Sequence, residues 1–194
     1  MFWFFTKNLA TGNIKLEEGD VEFIGQRMVF LPVRSLIEIH KFLIKKFGKK
    51  EGSNLVYEIF KTGAIYFADK MKEDWGTIGS TQIVKRMEEV ANASGWGKIR
   101  IVDFDDRKCR SLVEIENSPF TEEPSLKNYA CNITRGFIAG TLTGLFKRDI
   151  DGVERVCGVM GYRKCSMVFQ PRENWKQITS EDLKEAARYQ LPYF

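Results

Sequence analysis

The N-terminal part of the chain alternates short apolar runs with polar breaks, a pattern that favours strands. Five apolar residues, MFWFF, occupy positions 1–5, and two further short runs occupy 13–15 and 27–31. Gly19 and Gly25 interrupt these runs and mark turns. The pattern therefore predicts three strands before the first helix.

The next hundred residues change to helical spacing. After Pro32, apolar residues recur at intervals of three and four positions until Gly48, which predicts one helix. A second helix is predicted over 51–72. A third is predicted over 80–92, with Ser80 as its N-cap.

The second half of the chain places one long helix between two pairs of strands. Strands are predicted at 99–104 and 109–116, joined by the polar turn DDRK. The long helix covers 126–146, and strands at 153–160 and 164–170 follow it. An order of strands, helices, strands, helix and strands is typical of an α+β fold, with an antiparallel sheet packed against a layer of helices.

This pattern predicts a single domain over 1–170 and a C-terminal tail over 171–194 with a short helix at 179–188. No G-x-G-x-x-G follows a strand, and no G-x-x-x-x-G-K-[ST] occurs. Dinucleotide-binding and P-loop enzymes are therefore disfavoured. Whether the protein is an enzyme stays open at this point, but a non-enzymatic role is favoured.

Charge and hydropathy narrow the partners. The 194 residues carry a net charge of +4, and the densest basic cluster is Lys45, Lys46, Lys49 and Lys50. A cluster without interleaved aromatic residues indicates a solvated helix end, so no direct nucleic-acid binding is expected. No apolar run reaches the ~18 residues that span a bilayer. The start lacks the features of a signal peptide, and we expect a cytoplasmic protein with reduced thiols.

Three glycines recur at four-residue intervals on the long helix, at Gly136, Gly140 and Gly144. Together they cost the helix about 2–3 kcal/mol relative to alanine, which a close approach to another element can offset. Tight packing within the domain, a dimer interface and space for a ligand could each account for them.

Three cysteines and one glutamate form the most informative chemical pattern. Cys131 begins the long helix, while Glu154, Cys157 and Cys165 lie on the hairpin after it. Three thiolates and a carboxylate suit tetrahedral Zn²⁺, and four protein ligands would make the site structural. Glu154 and Cys157 need a bulge to share one face of a strand. Ordinary buried thiols and a redox pair remain alternatives, because no C-x-x-C motif is present.

Residues 129–144, with Glu154, Cys157, Gly161 and Cys165, resemble the 4-vinyl reductase (4VR) domain family. This family includes sensor domains of phenol-responsive activators and is distantly similar to TRAPP tethering subunits. The resemblance covers about residues 10–170. In the phenol-sensing members a zinc ion is held by Cys, Glu, Cys and Cys, and those offsets recur here. The resemblance therefore implies a zinc ion at Cys131, Glu154, Cys157 and Cys165.

The resemblance also implies a pocket for a small hydrophobic or aromatic ligand, and a homodimer. The His and Trp that hold phenol in those sensors have no clear match here; Arg86, Met87 and Trp96 occupy that stretch. Trp96, Gly136 and Gly140 are the candidate pocket residues, although Trp96 also suits ordinary packing.

The leading hypothesis is a non-enzymatic small-molecule sensor with a structural zinc. A redox-sensing module that uses Cys157 and Cys165, or Cys109, is an alternative, as is an interaction scaffold like the tethering subunits. Reductase activity is the weakest alternative. Arg155, Arg163 and Lys164 are candidates to offset the ligand charge, and His40 is expected at the surface or its boundary.

Overall fold

A computed structural model describes residues 2–10, 13–75 and 79–177. The tail helix predicted at 179–188 lies outside these residues. Within them the chain forms five α-helices and seven strands. The helices are α1 (Phe2–Ala10), α2 (Val33–Phe47), α3 (Lys49–Trp75), α4 (Ser80–Ala93) and α5 (Asn132–Phe146). The strands are β1 (Ile14–Glu17), β2 (Asp20–Phe23), β3 (Gln26–Arg27), β4 (Lys98–Asp105), β5 (Arg110–Glu116), β6 (Ile150–Val156) and β7 (Cys165–Pro171).

The prediction of a first strand is wrong, because MFWFF leads into the helix α1. A short apolar run fits a strand and a buried helix equally well, so its period cannot distinguish them. The strand predicted at 27–31 is also largely wrong, since only β3 pairs there, and Phe30 is 87% exposed. Strands β1, β2 and β3 form a small antiparallel sheet of their own.

The three helices predicted between residues 32 and 92 are confirmed with adjusted ends. Gly48 separates α2 from α3 with φ of 84°, a conformation that glycine adopts without strain. The N-cap of α4 is Gly79 and not Ser80, which is already helical. The long helix is shorter than predicted, because residues up to Tyr129 form 3₁₀ turns before α5 begins.

The main sheet has the strand order β4–β5–β7–β6, and every neighbouring pair is antiparallel. The predicted strand at 153–160 is corrected to β6 (Ile150–Val156), and a 3₁₀ turn at Gly158–Met160 precedes β7. The two strand pairs of the second half of the chain are therefore neighbours in one sheet.

One face of this sheet forms the main core together with α3, α4 and α5. Along β5, Ser111, Val113 and Ile115 are buried at alternate positions, as expected for a strand with one face on the core. Helix α5 is buried over most of its surface because it packs against both α3 and β6. The predicted α+β fold class and its single domain are confirmed. In the described ranges, none of the helices is long and apolar enough to span a membrane.

The glycines of α5 face α3. A Cβ atom on Gly136 would lie 2.3 Å from the carbonyl oxygen of Tyr57, and one on Gly140 would lie 2.0 Å from that of Lys61. A Cβ atom on Gly144 would lie 2.6 Å from the Cβ of Ala68. Of the three roles considered for these glycines, close helix packing is the one that their surroundings support.

Candidate functional site

The four predicted metal ligands come from three elements that meet at one end of the core. Cys131 is the N-cap of α5, Glu154 lies in β6, Cys157 follows β6, and Cys165 opens β7. Strands β6 and β7 are paired neighbours, and α5 packs on β6. The hairpin and the helix start are therefore held together by the sheet itself.

A register shift in β6 lets Glu154 and Cys157 share one side of the hairpin. Pairing with β7 is regular up to Glu154, opposite Met167, and resumes at Val156, opposite Ser166. Such an irregularity inserts one extra residue and reverses the facing of the residues after it. This is the bulge that the sequence spacing requires.

The ligand atoms of these four residues all lie within 4.8 Å of one another. The Sγ atom of Cys131 is 3.7 Å from that of Cys157 and 3.4 Å from that of Cys165. Tetrahedral coordination with Zn–S bonds of about 2.3 Å places sulfur atoms about 3.8 Å apart. The spacing of the thiols is therefore close to that of a tetrahedral metal shell, and the four residues can hold a metal ion.

The buried charge of this cluster requires compensation. Glu154 is 3% exposed, and its Oε1 atom has no hydrogen-bond partner among the described residues. Burial, and next the charge of Cys165, raise the pKa of this carboxyl group to about 8. Hydrogen bonds from the thiols of Cys131 and Cys157 lower the pKa of Cys165 to about 3. A bound cation would stabilise the anionic forms of all these groups.

The cation nearest in effect to Glu154 is Arg135, which the sequence did not indicate. Arg135 is 2% exposed, its charge favours the ionised form of Glu154, and its guanidinium lies 4.8 Å from the ring centre of Tyr57. The predicted compensating residues are placed differently: Arg155 and Arg163 are exposed, and Lys164 pairs with Glu114. Sequence proximity is a poor guide here because alternate strand residues face opposite sides of the sheet.

Cys109 lies apart from the metal cluster. It ends the turn before β5 with φ of 51°, and its Sγ atom accepts a 3.7 Å contact from the guanidinium of Arg148. The residue is 8% exposed. A redox role for this thiol stays a prediction.

A cavity of about 270 Å³ lies within the core, between the main sheet and helices α3, α4 and α5. Trp96, one of the predicted pocket residues, lies in its wall and stacks on Phe137 with ring centres 5.1 Å apart. Gly136 and Gly140, the other two, are not among the lining residues. Helix α5 instead lines the cavity with Thr134, Phe137, Ile138, Thr141 and Leu142.

Trp96 also borders a second cavity of about 510 Å³, on its other side. This one is formed by the small sheet, the segment at 28–31, and parts of α2 and α3. Its wall includes Phe30 and Leu16, which are exposed apolar side chains.

His40 is buried, and its predicted place at the surface is wrong. Its exposure is 0%, and its Nε2 atom is 3.2 Å from the Oγ of Ser53 at the interface of α2 and α3. Burial lowers the pKa of His40 to about 4. The residue lines neither cavity, so it has no access to a ligand there.

The comparisons with known proteins agree with this geometry. Residues 112–171 match the family model of the vinyl-4-reductase (4VR) domain. The fold is similar to the crystal structure of the phenol-responsive sensory domain of the transcription activator PoxR with phenol. That likeness has a TM-score of 0.73 and 18% identity over 95% of each chain. Among curated proteins, no sequence matches the chain.

Two further structures show weaker likeness. One is a trafficking protein particle complex subunit 3 from Naegleria fowleri covalently bound to palmitic acid, with a TM-score of 0.57 and 8% identity, over 72% of this chain and 92% of that one. The other is a vinyl-4-reductase family protein from Methanocaldococcus jannaschii, with a TM-score of 0.47 and 17% identity, over 74% and 83%. The resemblance to the 4-vinyl reductase domain family is confirmed. Identities this low establish fold and not ligand.

Proposed function

We propose that this protein is a non-enzymatic ligand-binding domain, of the kind used in sensors, which takes a small aromatic molecule into the 270 Å³ cavity. One observation carries the proposal, namely an apolar cavity inside the core of a 4VR-type fold. A packed interior normally leaves few voids larger than a water molecule. A space of this size is therefore better explained by a ligand than by imperfect packing.

The size and lining of the cavity favour an aromatic occupant. An apolar cavity of about 150 Å³ already holds a benzene molecule, so this one has room for a substituted ring. Its wall combines aliphatic side chains with Trp96, Phe137 and Phe67. Such rings can contact an aromatic ligand edge to face or in an offset stack. The likeness to the PoxR sensory domain with phenol supports the same ligand class.

We further propose a structural zinc held by Cys131, Glu154, Cys157 and Cys165. The donor set and the sulfur spacing fit Zn²⁺, and four protein ligands leave no open coordination position. When bound, the ion supplies a positive charge and a crosslink between the start of α5 and the β6–β7 hairpin. Structural zinc contributes about 10 kcal/mol or more of apparent binding free energy in small domains.

A homodimer and a cytoplasmic location complete the proposal. The exposed side chains of Val29, Phe30 and Leu31 provide an apolar surface that is available for self-association. All four cysteines are free thiols, as expected in a reducing compartment.

Native mass spectrometry of the purified protein, followed by calorimetric titration with phenol, tests these points. We expect a mass increment of one zinc per chain, a dimer, and saturable phenol binding at one site per chain. The absence of binding by phenol and by other single-ring aromatics would contradict the ligand proposal. A metal-free protein that forms a Cys131–Cys165 disulfide under mild oxidant would instead favour the redox module, which their 3.4 Å sulfur separation permits.

A further inference from the structure

The polar side chains in the cavity wall differ in whether they have hydrogen-bond partners. Six lining residues carry an amide, carboxylate or hydroxyl group: Gln26, Glu88, Ser94, Ser111, Thr134 and Thr141. Four of them are already engaged with the backbone. Gln26 donates to Tyr66, Glu88 accepts from Ile101, Ser94 donates to Val90 and Thr141 donates to Phe137.

The remaining two, Ser111 and Thr134, have no partner for their hydroxyl groups among the described residues. Both residues are 1% exposed, so bulk water does not satisfy them. A buried hydroxyl without a hydrogen bond costs about 1–3 kcal/mol. Two such groups in one cavity wall therefore require an explanation.

Neither hydroxyl is there for local backbone reasons. Threonines in a helix commonly donate to the carbonyl four residues earlier, and on α5 both Thr141 and Thr143 do so. Thr134 lies on the same helix and makes no such bond. Ser111 occupies a core-facing position of β5, where the two following core-facing residues are Val113 and Ile115. A third aliphatic residue would fill this position without the polar cost.

We infer that Ser111 and Thr134 select the ligand by hydrogen-bonding a hydroxyl or carbonyl group on it, which identifies the ligand class as neutral oxygenated aromatics. The inference rests on the proposed function of the cavity and adds its selectivity. A hydroxyl group donates and accepts, so the pair can satisfy both the O–H and the lone pairs of a phenolic group.

The charge of the wall determines which oxygenated ligands fit. No Lys, Arg or His is among the lining residues, and Glu88 is the one ionisable side chain there. A carboxylate ligand would be desolvated without a compensating cation and would be repelled by Glu88. Phenol should therefore bind, whereas benzoate should not.

Calorimetric titration of the full chain with phenol, benzene and benzoate tests this selectivity. We expect wild type to bind phenol at least about tenfold more tightly than benzene, which corresponds to one to two buried hydrogen bonds. The Ser111→Ala/Thr134→Val double variant should lose most of this preference through weaker phenol binding. Thr134→Ser retains the hydroxyl and should keep the preference.

Thr143→Val is the matched control, because it removes a buried hydroxyl from the same helix outside the cavity wall. It should keep the preference for phenol, and thermal melting checks that each variant is folded. If wild type binds phenol and benzene equally, or if the double variant keeps the preference, the inference is overturned while the proposed cavity function stands. If no aromatic compound binds, the proposed function itself fails, and the inference fails with it.

Discussion

The ammonium group of Lys61 lies 2.7 Å from a carboxylate oxygen of Asp151, and both residues are buried, at 5% and 4% exposure. Asp149 binds the same ammonium at 2.6 Å, and the hydroxyl of Tyr57 donates to Asp151 at 2.9 Å. Lys61 and Tyr57 belong to α3, and Asp151 belongs to β6. This polar network therefore connects α3 to the sheet beside the helix that carries Cys131.

Replacing Lys61 by methionine should destabilise the protein by about 3 kcal/mol, because it leaves the Asp151 carboxylate buried without its main cation. Urea unfolding at neutral pH measures the change. Lys15→Met is the control, since Lys15 forms an exposed pair with Glu22 and should change stability by less than about 1 kcal/mol. Equal effects of the two substitutions would mean that the buried pair has no special role.

Gly140→Ala should destabilise the protein although alanine favours helix by about 1 kcal/mol. The added methyl group would lie 2.0 Å from the carbonyl oxygen of Lys61, so α3 and α5 would have to separate. Gly63→Ala, inside α3, meets nothing within 4 Å and should be neutral or stabilising by up to about 1 kcal/mol. The difference in thermal midpoint between the two variants checks this, and a stabilising Gly140→Ala would refute the close packing.

Cys157→Ser and Cys165→Ser should each lower the bound zinc content and the thermal midpoint of the purified protein. Each removes one sulfur ligand from the cluster of four. Cys109→Ser also removes a buried thiol, but one outside the cluster, and should keep the metal. Elemental analysis and melting with and without chelator measure both effects. Metal-free wild type with unchanged melting in chelator would show that these are ordinary thiols.

Stability should fall in mild acid because of His40. An unfolded chain protonates this imidazole below a pKa of about 6.5, whereas the folded state does so only near 4. Between these values the unfolded state binds more protons, so the free energy of unfolding decreases as pH falls. The loss reaches roughly 2 kcal/mol by pH 4.5.

His40→Gln removes this proton uptake, and His40 is the one histidine of the chain. Urea unfolding at pH 7 and pH 4.5 should therefore show a smaller acid loss in the variant than in wild type. Identical acid losses in the two proteins would mean that the buried imidazole is not responsible.

The sequence predicted those parts of the fold that have a long, regular period. Helix α2 and the strands β4 and β5 have nearly the predicted bounds, because many residues contribute to each pattern. Shorter segments were ambiguous. MFWFF is too short for its period to separate strand from helix, and the segment at 27–31 is apolar yet largely unpaired.

The candidate metal ligands could be chosen from the sequence because cysteine and glutamate are metal-binding residue types and their offsets match those of the phenol-sensing 4VR domains. Ser111 and Thr134 could not be chosen in this way, since serine and threonine are common in every kind of structure. One signal was present: Ser111 begins a run of core-facing positions that continues with Val113 and Ile115.

The sequence by itself determined the α+β class, the four candidate ligands and the need for a bulge between Glu154 and Cys157. These depend on local periodicity and on the chemistry of a few residue types. Tertiary structure alone decided that Gly140 contacts α3, that Arg135 is the buried cation beside Glu154, and which hydroxyls lack partners among the described residues. Such relationships join residues far apart in the chain, and only the packing of helices on the sheet brings them together.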